Sequence, residues 1–249
     1  MKYLLNCSLF MGCLTAAILF NIVDAKAAIS LDRTRIIMNG DTDAISISVS
    51  NNNKELPYLA QAWLEDEAGK KIHSPITVLP PVQRIEPGKT NQIRLQSLSG
   101  KLDTLPQEKE SLFYFNLREI PPRSDKPNTL QIALQTKIKL FYRPASIIAK
   151  GGTDKIIRES VQLSRLGGRY IVNNRTPYYL TIVEGAPSEK ANPLDNFSPV
   201  MIAPQHSAEL NISDSALGNT PVLTYVNDYG AKPKLYFKCQ QNQCTNLGA

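Results

Sequence analysis

The sequence predicts an all-β protein built from two sandwich domains in tandem. Three observations carry that expectation. Apolar and polar residues alternate with period two over short runs. Gly, Pro and Asn clusters break these runs roughly every ten residues, the spacing of sandwiches and barrels. No segment keeps an apolar period of 3.6 residues over three turns, so long amphipathic helices are excluded.

The runs read as follows. In residues 44–50, Ile45, Ile47 and Val49 share one face. Asn51, Asn52 and Asn53 then end the run with turn chemistry. Residues 58–64 form the next strand and carry the single tryptophan, Trp63. A turn at 67–70 follows, then a strand at 76–79 stopped by Pro80 and Pro81. Residues 85–88 turn and 91–95 alternate again. Residues 112–120 are a strong strand that ends at Pro121 and Pro122. Residues 130–142 are the longest β-like run, stopped by Pro144. The second half repeats the rhythm with strands expected at 160–163, 169–173, 178–183, 208–212, 221–226 and 234–239.

Length divides this rhythm in two. Of the 249 residues, 28–147 and 148–249 each match one immunoglobulin-like sandwich of about 100 residues and seven strands. The stretch Ala149, Lys150, Gly151, Gly152 and Thr153 supplies a flexible joint. The expected architecture is therefore two immunoglobulin-like β-sandwiches angled against each other in an L-shaped arrangement, with a cleft between them.

Residues 1–27 read as a secretory signal peptide. Lys2 precedes an apolar run over 4–23, and Ala25, Lys26 and Ala27 fit the small-x-small cleavage rule. An uncleaved anchor helix fits less well, because Asn6, Ser8 and Asn21 interrupt the run. Cleavage removes Cys7 and Cys13 and leaves Cys239 and Cys244. An even pair in an exported protein predicts a disulfide. Closing so short a loop contributes about 2 kcal/mol.

The remaining chemistry is sparse. The formal charge of +6 is scattered, without a clustered basic tract, so nucleic acid is not an expected partner. Two His and one Cys pair leave too few ligands for a metal centre. No P-loop, GxSxG, HExxH or dinucleotide fingerprint occurs. His73 and His206 have no neighbouring nucleophile or orienting acid in sequence, and Glu65 and Glu67 flank a turn. Neither an enzyme nor a cofactor is expected. The sequons at Asn174, Asn196 and Asn211 matter only in a glycosylating cell.

Two features of residues 130–142 stand out. Leu130, Ile132 and Leu134 share a face that continues through Thr136, Ile138 and Leu140. Such a strand is either an ordinary core strand or an edge offered to another chain. Lys139 falls between Ile138 and Leu140 and points to the opposite face. It is either solvated or part of an anion site.

Several longer motifs then carry a resemblance. Residues 105–122 (LPQEKESLFYFNLREIPP) and 138–144 (IKLFYRP) are the most specific. Residues 30–35 (SLDRTR), 80–88 (PPVQRIEPG) and 225–230 (YVNDYG) follow the same pattern. Together they resemble the periplasmic pilus-assembly chaperones of the chaperone–usher pathway over the whole mature chain. Glu108 departs from the Asp, Asn or Ser more usual there. The resemblance implies an ATP-independent chaperone that folds and caps pilin subunits by donor-strand complementation and delivers them to an outer-membrane usher. It implies that Leu130, Ile132 and Leu134 are donated to the subunit, and that Arg35 and Lys139 grip its C-terminal carboxylate. It also implies that Glu110, Arg143 and Asp228 form a charge network between the domains. The short loop over 123–129, without a Cys pair, resembles the class serving rod-like pili. The alternative is a structural pilin or adhesin subunit, which should be one domain lacking its last strand. An exposed apolar edge also favours self-association of the free protein.

Overall fold

Alternation of the kind seen at Ile47 and Val49 makes a strand bury one face, and the chain satisfies this with strands throughout. The computed structural model describes residues 28–125 and 127–248. The segment read as a signal peptide lies outside the described residues. The first domain runs β1 (Ile29–Leu31), β2 (Arg35–Asn39), β3 (Ala44–Asn51), β4 (Tyr58–Glu65) and β5 (Lys71–Ile72). It continues with β6 (Ile76–Leu79), β7 (Val82–Ile85), β8 (Thr90–Ser97), β9 (Ser111–Ile120) and β10 (Gln135–Arg143).

These strands form two facing layers. One sheet has the order β1-β3-β8-β6, and the other β2-β10-β9-β4-β5 with β7 on β4. Ile36, Met38, Ile47, Leu64, Ile93, Leu95, Phe115 and Leu140 are fully buried or nearly so between them. Each such side chain contributes about 1.5–3 kcal/mol. The first strands change layers: β1 pairs with β3, whereas β2 runs parallel to β10, with Arg35 opposite Lys139 and Asn39 opposite Arg143. The buried Glu119 carboxylate bridges the layers by accepting the Ile29 amide at 2.8 Å.

The second domain contains α1 (Asp154–Ser160), β11 (Val161–Leu166), β12 (Arg169–Asn174), β13 (Leu180–Ala186), β14 (Val200–Ile202) and β15 (Ser207–Ser213). Next come α2 (Asp214–Leu217), β16 (Val222–Tyr225), β17 (Lys234–Gln240) and β18 (Gln243–Asn246). Its strands follow one path, β14-β13-β16-β17-β18-β11-β12-β15. Continuity comes from β17, whose first half pairs with β16 and whose second half pairs with β18. Tyr170, Val172, Ile182, Tyr225 and Phe237 fill the core. Cys239 and Cys244 are directly opposed on β17 and β18 and are joined by a disulfide.

One expected element is shorter than its pattern. The alternation predicts a strand over 130–142, but β10 starts at Gln135. Leu130, Ile132 and Leu134 lie in no strand. The cause is the neighbour. The β9–β10 register sets Gln135 opposite Arg118, and one more rung forms as the Glu119 amide donates to Leu134 O. Continuing that register places Pro121 opposite Ile132 and Pro122 opposite Gln131. Proline has no amide hydrogen, so the ladder stops. The Gln131 side chain instead donates to the Pro122 carbonyl. Sequence reading also passes over β1, β2, β5, β7, β14, β18 and the helices.

Candidate functional site

The domains meet across the outward face of β2 and β10. On β10 the even positions Ile138, Leu140 and Tyr142 enter the core, so Lys137, Lys139, Phe141 and Arg143 point out of it. On β2, Arg35, Ile37 and Asn39 face the same way. The parallel pairing brings Arg35 and Lys139 side by side at one rung.

Both cations are drawn out of water by the second domain. Arg35 Nη1 donates to Val226 O at 3.0 Å, and its buried Nε has no hydrogen-bond partner among the described residues. Lys139 Nζ donates to Thr181 Oγ1 at 3.1 Å. Burial lowers the pKa of the Arg35 guanidinium, against the pull of Asp228 and Glu110. Burial also lowers that of the Lys139 ammonium, and the Arg35 charge lowers it further. Their hydrogen bonds go to neutral oxygens. Two adjacent, partly desolvated cations of this kind make a site for an anion.

Behind them, Arg143 ties the domains together. Its Nε and Nη2 donate to Glu110 Oε1 at 2.9 and 2.7 Å. Its Nη1 and Nη2 donate to Asp228 Oδ2 and Oδ1 at 2.8 and 2.9 Å. The other Glu110 oxygen accepts the Tyr179 amide at 2.7 Å. Burial pushes the Glu110 carboxyl up to about 7, against the pull of Arg143 and the Tyr179 amide. Burial works against the Arg143 charge too, but Asp228 and Glu110 more than offset it and keep the guanidinium protonated.

Local structure delivers Asp228 to this point. The Asn227 side chain accepts the Tyr229 and Ala231 amides and donates to Asp154 at 3.0 Å. Gly230 completes the turn at φ +82°, and a Cβ there would lie 2.7 Å from Thr34 Oγ1 in the first domain. Further ties between domains are the Glu110 amide to Pro177 O, Tyr178 Oη to Ile147 O, and Phe141 against Tyr179 at 5.5 Å.

Next to the cations, β10 has an open edge. Residues 139–143 lie between β2 and β9, but among the described residues 135–138 have only β9 beside them. Beyond the strand, exposure rises with distance from the core: Leu134 46%, Ile132 66% and Leu130 84%. The structure thus brings Arg35 and Lys139 together, and Glu110, Arg143 and Asp228 together. Leu130, Ile132 and Leu134 stand apart from both groups, free of the core. Thr181, Val226 and Tyr179 escape sequence reasoning, because a single hydroxyl, a backbone carbonyl or a backbone amide that meets a distant charge leaves no sequence pattern.

Comparison with known proteins decides the family. The sequence model of the pili and flagellar-assembly chaperone PapD N-terminal domain matches residues 28–148. That of the pili assembly chaperone PapD C-terminal domain matches residues 157–237. The chain belongs to the PapD family of pili-assembly chaperones. Among PapD-family members, the chaperone protein PapD of Escherichia coli is 49% identical over 234 residues, covering 93% of this chain and 95% of the relative. The probable fimbrial chaperone YfcS of Escherichia coli K12 is 47% identical over 242 residues, covering 96% and 95%. The crystal structure of the periplasmic chaperone SfaE superposes with a TM-score of 0.67 at 27% identity, covering 84% of this chain and 98% of that one. The Arg35–Lys139 rung and the Arg143 cluster both lie between these two family domains.

Proposed function

We propose that this PapD-family chaperone captures a pilin subunit by lending it the open edge of β10 and the exposed apolar segment before it. The observation that carries this reading is the position of the Arg35–Lys139 pair. It stands where the open edge of β10 ends and the seat of β2 begins. In this reading a guest strand laid along 130–138 runs in the same direction as β2, parallel to β10. Its chain end then points at the two cations, and its terminal carboxylate supplies the anion they lack. Fixing that end fixes the register. A slip of one residue would turn the wrong side chains toward Leu130, Ile132 and Leu134.

In this reading the guest is a pilin subunit with an unfinished sheet. Main-chain hydrogen bonds complete its edge, and Leu130, Ile132 and Leu134 fill its core. Each buried side chain is worth about 1.5–3 kcal/mol. Capture is paid for by burial and hydrogen bonding, so it needs no ATP, cofactor or catalytic step. The domain bearing residues 28–147 receives the subunit, and the domain from 148 onward supplies Asp228, Thr181 and the Val226 carbonyl. The signal-like residues 1–27 and the likeness to the periplasmic chaperone SfaE support a periplasmic site of action. Membership of the pili-assembly chaperone family supports delivery to an outer-membrane usher as the next step. Among the described residues no helix is long and apolar enough to cross a membrane.

The test is charge removal at the rung. Lys139→Ala and Arg35→Ala are each expected to weaken capture about 10- to 100-fold, the worth of one charge-assisted hydrogen bond. Both variants should keep the far-UV circular dichroism of the parent. Co-purification of either variant with a co-expressed pilin at parental yield would remove the carboxylate anchor from this account.

A further inference from the structure

Residues 135–138 of β10 pose a physical problem. Among the described residues they hold strand geometry with a neighbour on one side only, and the segment just before them lies in no strand. A half-paired strand end of this kind tends to fray. The outward face of the sheet carries a group of side chains that acts on these residues.

Lys137 reaches across β9 to β4, where its Nζ meets Glu65 Oε2 at 2.7 Å. On the way it lies 4.3 Å from the centre of the Tyr114 ring. The other Glu65 oxygen accepts Trp63 Nε1 at 2.9 Å. The Lys137 hydrogen bond, reinforced by Trp63, holds the Glu65 carboxyl below its usual range. Gln135 is bound from both ends of its amide: Nε2 donates to Asn116 Oδ1 at 3.0 Å, and Oε1 accepts Arg118 Nη2 at 2.9 Å. Arg118 lies over the Trp63 ring at 5.2 Å, with Lys71 at 5.7 Å. The contacts close a circuit from Gln135 through Arg118, Trp63 and Glu65 to Lys137.

A single exposed ion pair would count for little. Here the Glu65 side chain is only 14% exposed and carries two hydrogen bonds. Asn116, beneath the circuit, is fully buried although it faces outward. The circuit also takes hold of β10 only at 135 and 137, the outward positions of its half-paired stretch.

We infer that Glu65 and Lys137 are positioning residues: they strap the half-paired end of β10 to β4 and keep its open edge ready for a guest strand. This rests on the capture reading proposed above. A pre-ordered edge binds without the cost of ordering it at the moment of contact. Once a guest strand lies beside 135–138 it supplies the missing pairing itself. Loss of the strap therefore slows association and leaves dissociation unchanged.

The test has two arms. In the first, backbone amide exchange is followed in the free full-length mature chain for the parent, Lys137→Met, Glu65→Gln and Lys137→Arg. Lys137→Met and Glu65→Gln should exchange at least tenfold faster at Thr136 and Ile138, whose amides face β9 while those of Gln135 and Lys137 face the open edge, and unchanged at 140–143. Lys137→Arg should restore parental rates, since it keeps the charge and the reach. Unchanged exchange at Thr136 and Ile138, or faster exchange along all of β10, overturns the inference whether or not pilin is the guest. In the second arm, association and dissociation rates with a co-expressed pilin are measured. The strap predicts slower association of Lys137→Met at an unchanged dissociation rate. Faster dissociation would mean that Lys137 touches the guest directly, and would overturn the positioning role. Failure of every variant, and of the parent, to bind pilin would contradict the capture reading and leave the exchange result standing.

Discussion

Ile132→Asp is expected to abolish capture of a pilin subunit while leaving the chaperone's own stability untouched. Ile132 is two-thirds exposed and belongs to neither hydrophobic core. A surface change of this kind alters stability by about 0.5 kcal/mol or less. In the proposed complex the same side chain enters the subunit's core. There the variant forfeits the roughly 1.5–3 kcal/mol of isoleucine burial. It also brings a carboxylate into an apolar site with no partner, at a cost of at least several kcal/mol. Co-purification with pilin, together with thermal melting of the free variant, separates the two effects. A variant that melts with the parent and still carries pilin at parental yield would exclude the segment 130–134 as the donated one.

The second large effect concerns the joint. Arg143→Ala is expected to destabilise the protein by about 3–5 kcal/mol, because removing one partner leaves buried charge uncompensated. Glu110 is the group left behind, with the Tyr179 amide still donating to it. In a protein of this size the loss lowers Tm by about 10 °C. Arg143→Lys should recover only part of it, since an ammonium cannot offer the planar fork that serves Glu110 and Asp228 together. Scanning calorimetry of the two variants decides this. A change below about 1 kcal/mol in Arg143→Ala would mean that the cluster does not hold the domains.

Much of the fold was legible in the sequence, for reasons that residues make plain. Strand 44–51 announces itself through period-two alternation and its asparagine stop, and strand 111–120 through its aliphatic and aromatic content and the stop at Pro121. β2 did not, because Ile36, Ile37 and Met38 form an apolar run that hides its alternation. Ile37 faces the domain joint, which only the fold creates. Helix α1 spans one or two turns, too short for a periodic signature. The strand at 130–142 was over-read because alternation reports which face is apolar, not whether a neighbour can pair. The prolines that end β9 also end β10, and that follows only from the register.

The site was legible differently. Leu130, Ile132, Leu134 and Lys139 stood out from pattern alone. Arg35, Glu110, Arg143 and Asp228 came from resemblance, since nothing in their spacing links positions 35, 110, 143 and 228. The strap from Lys137 to Glu65 could not be read at all. Those residues are 72 positions apart and become neighbours only through the β4–β9–β10 order.

In the proposed capture, two cations read the end of a guest strand. The most direct test is calorimetric binding of a synthetic peptide matching the C-terminal strand of a co-expressed pilin, as the free acid and as the C-terminal amide. The account predicts that the acid binds about 10- to 100-fold tighter than the amide, and that this difference shrinks toward unity in Lys139→Ala. Equal binding of acid and amide by the parent protein would contradict it.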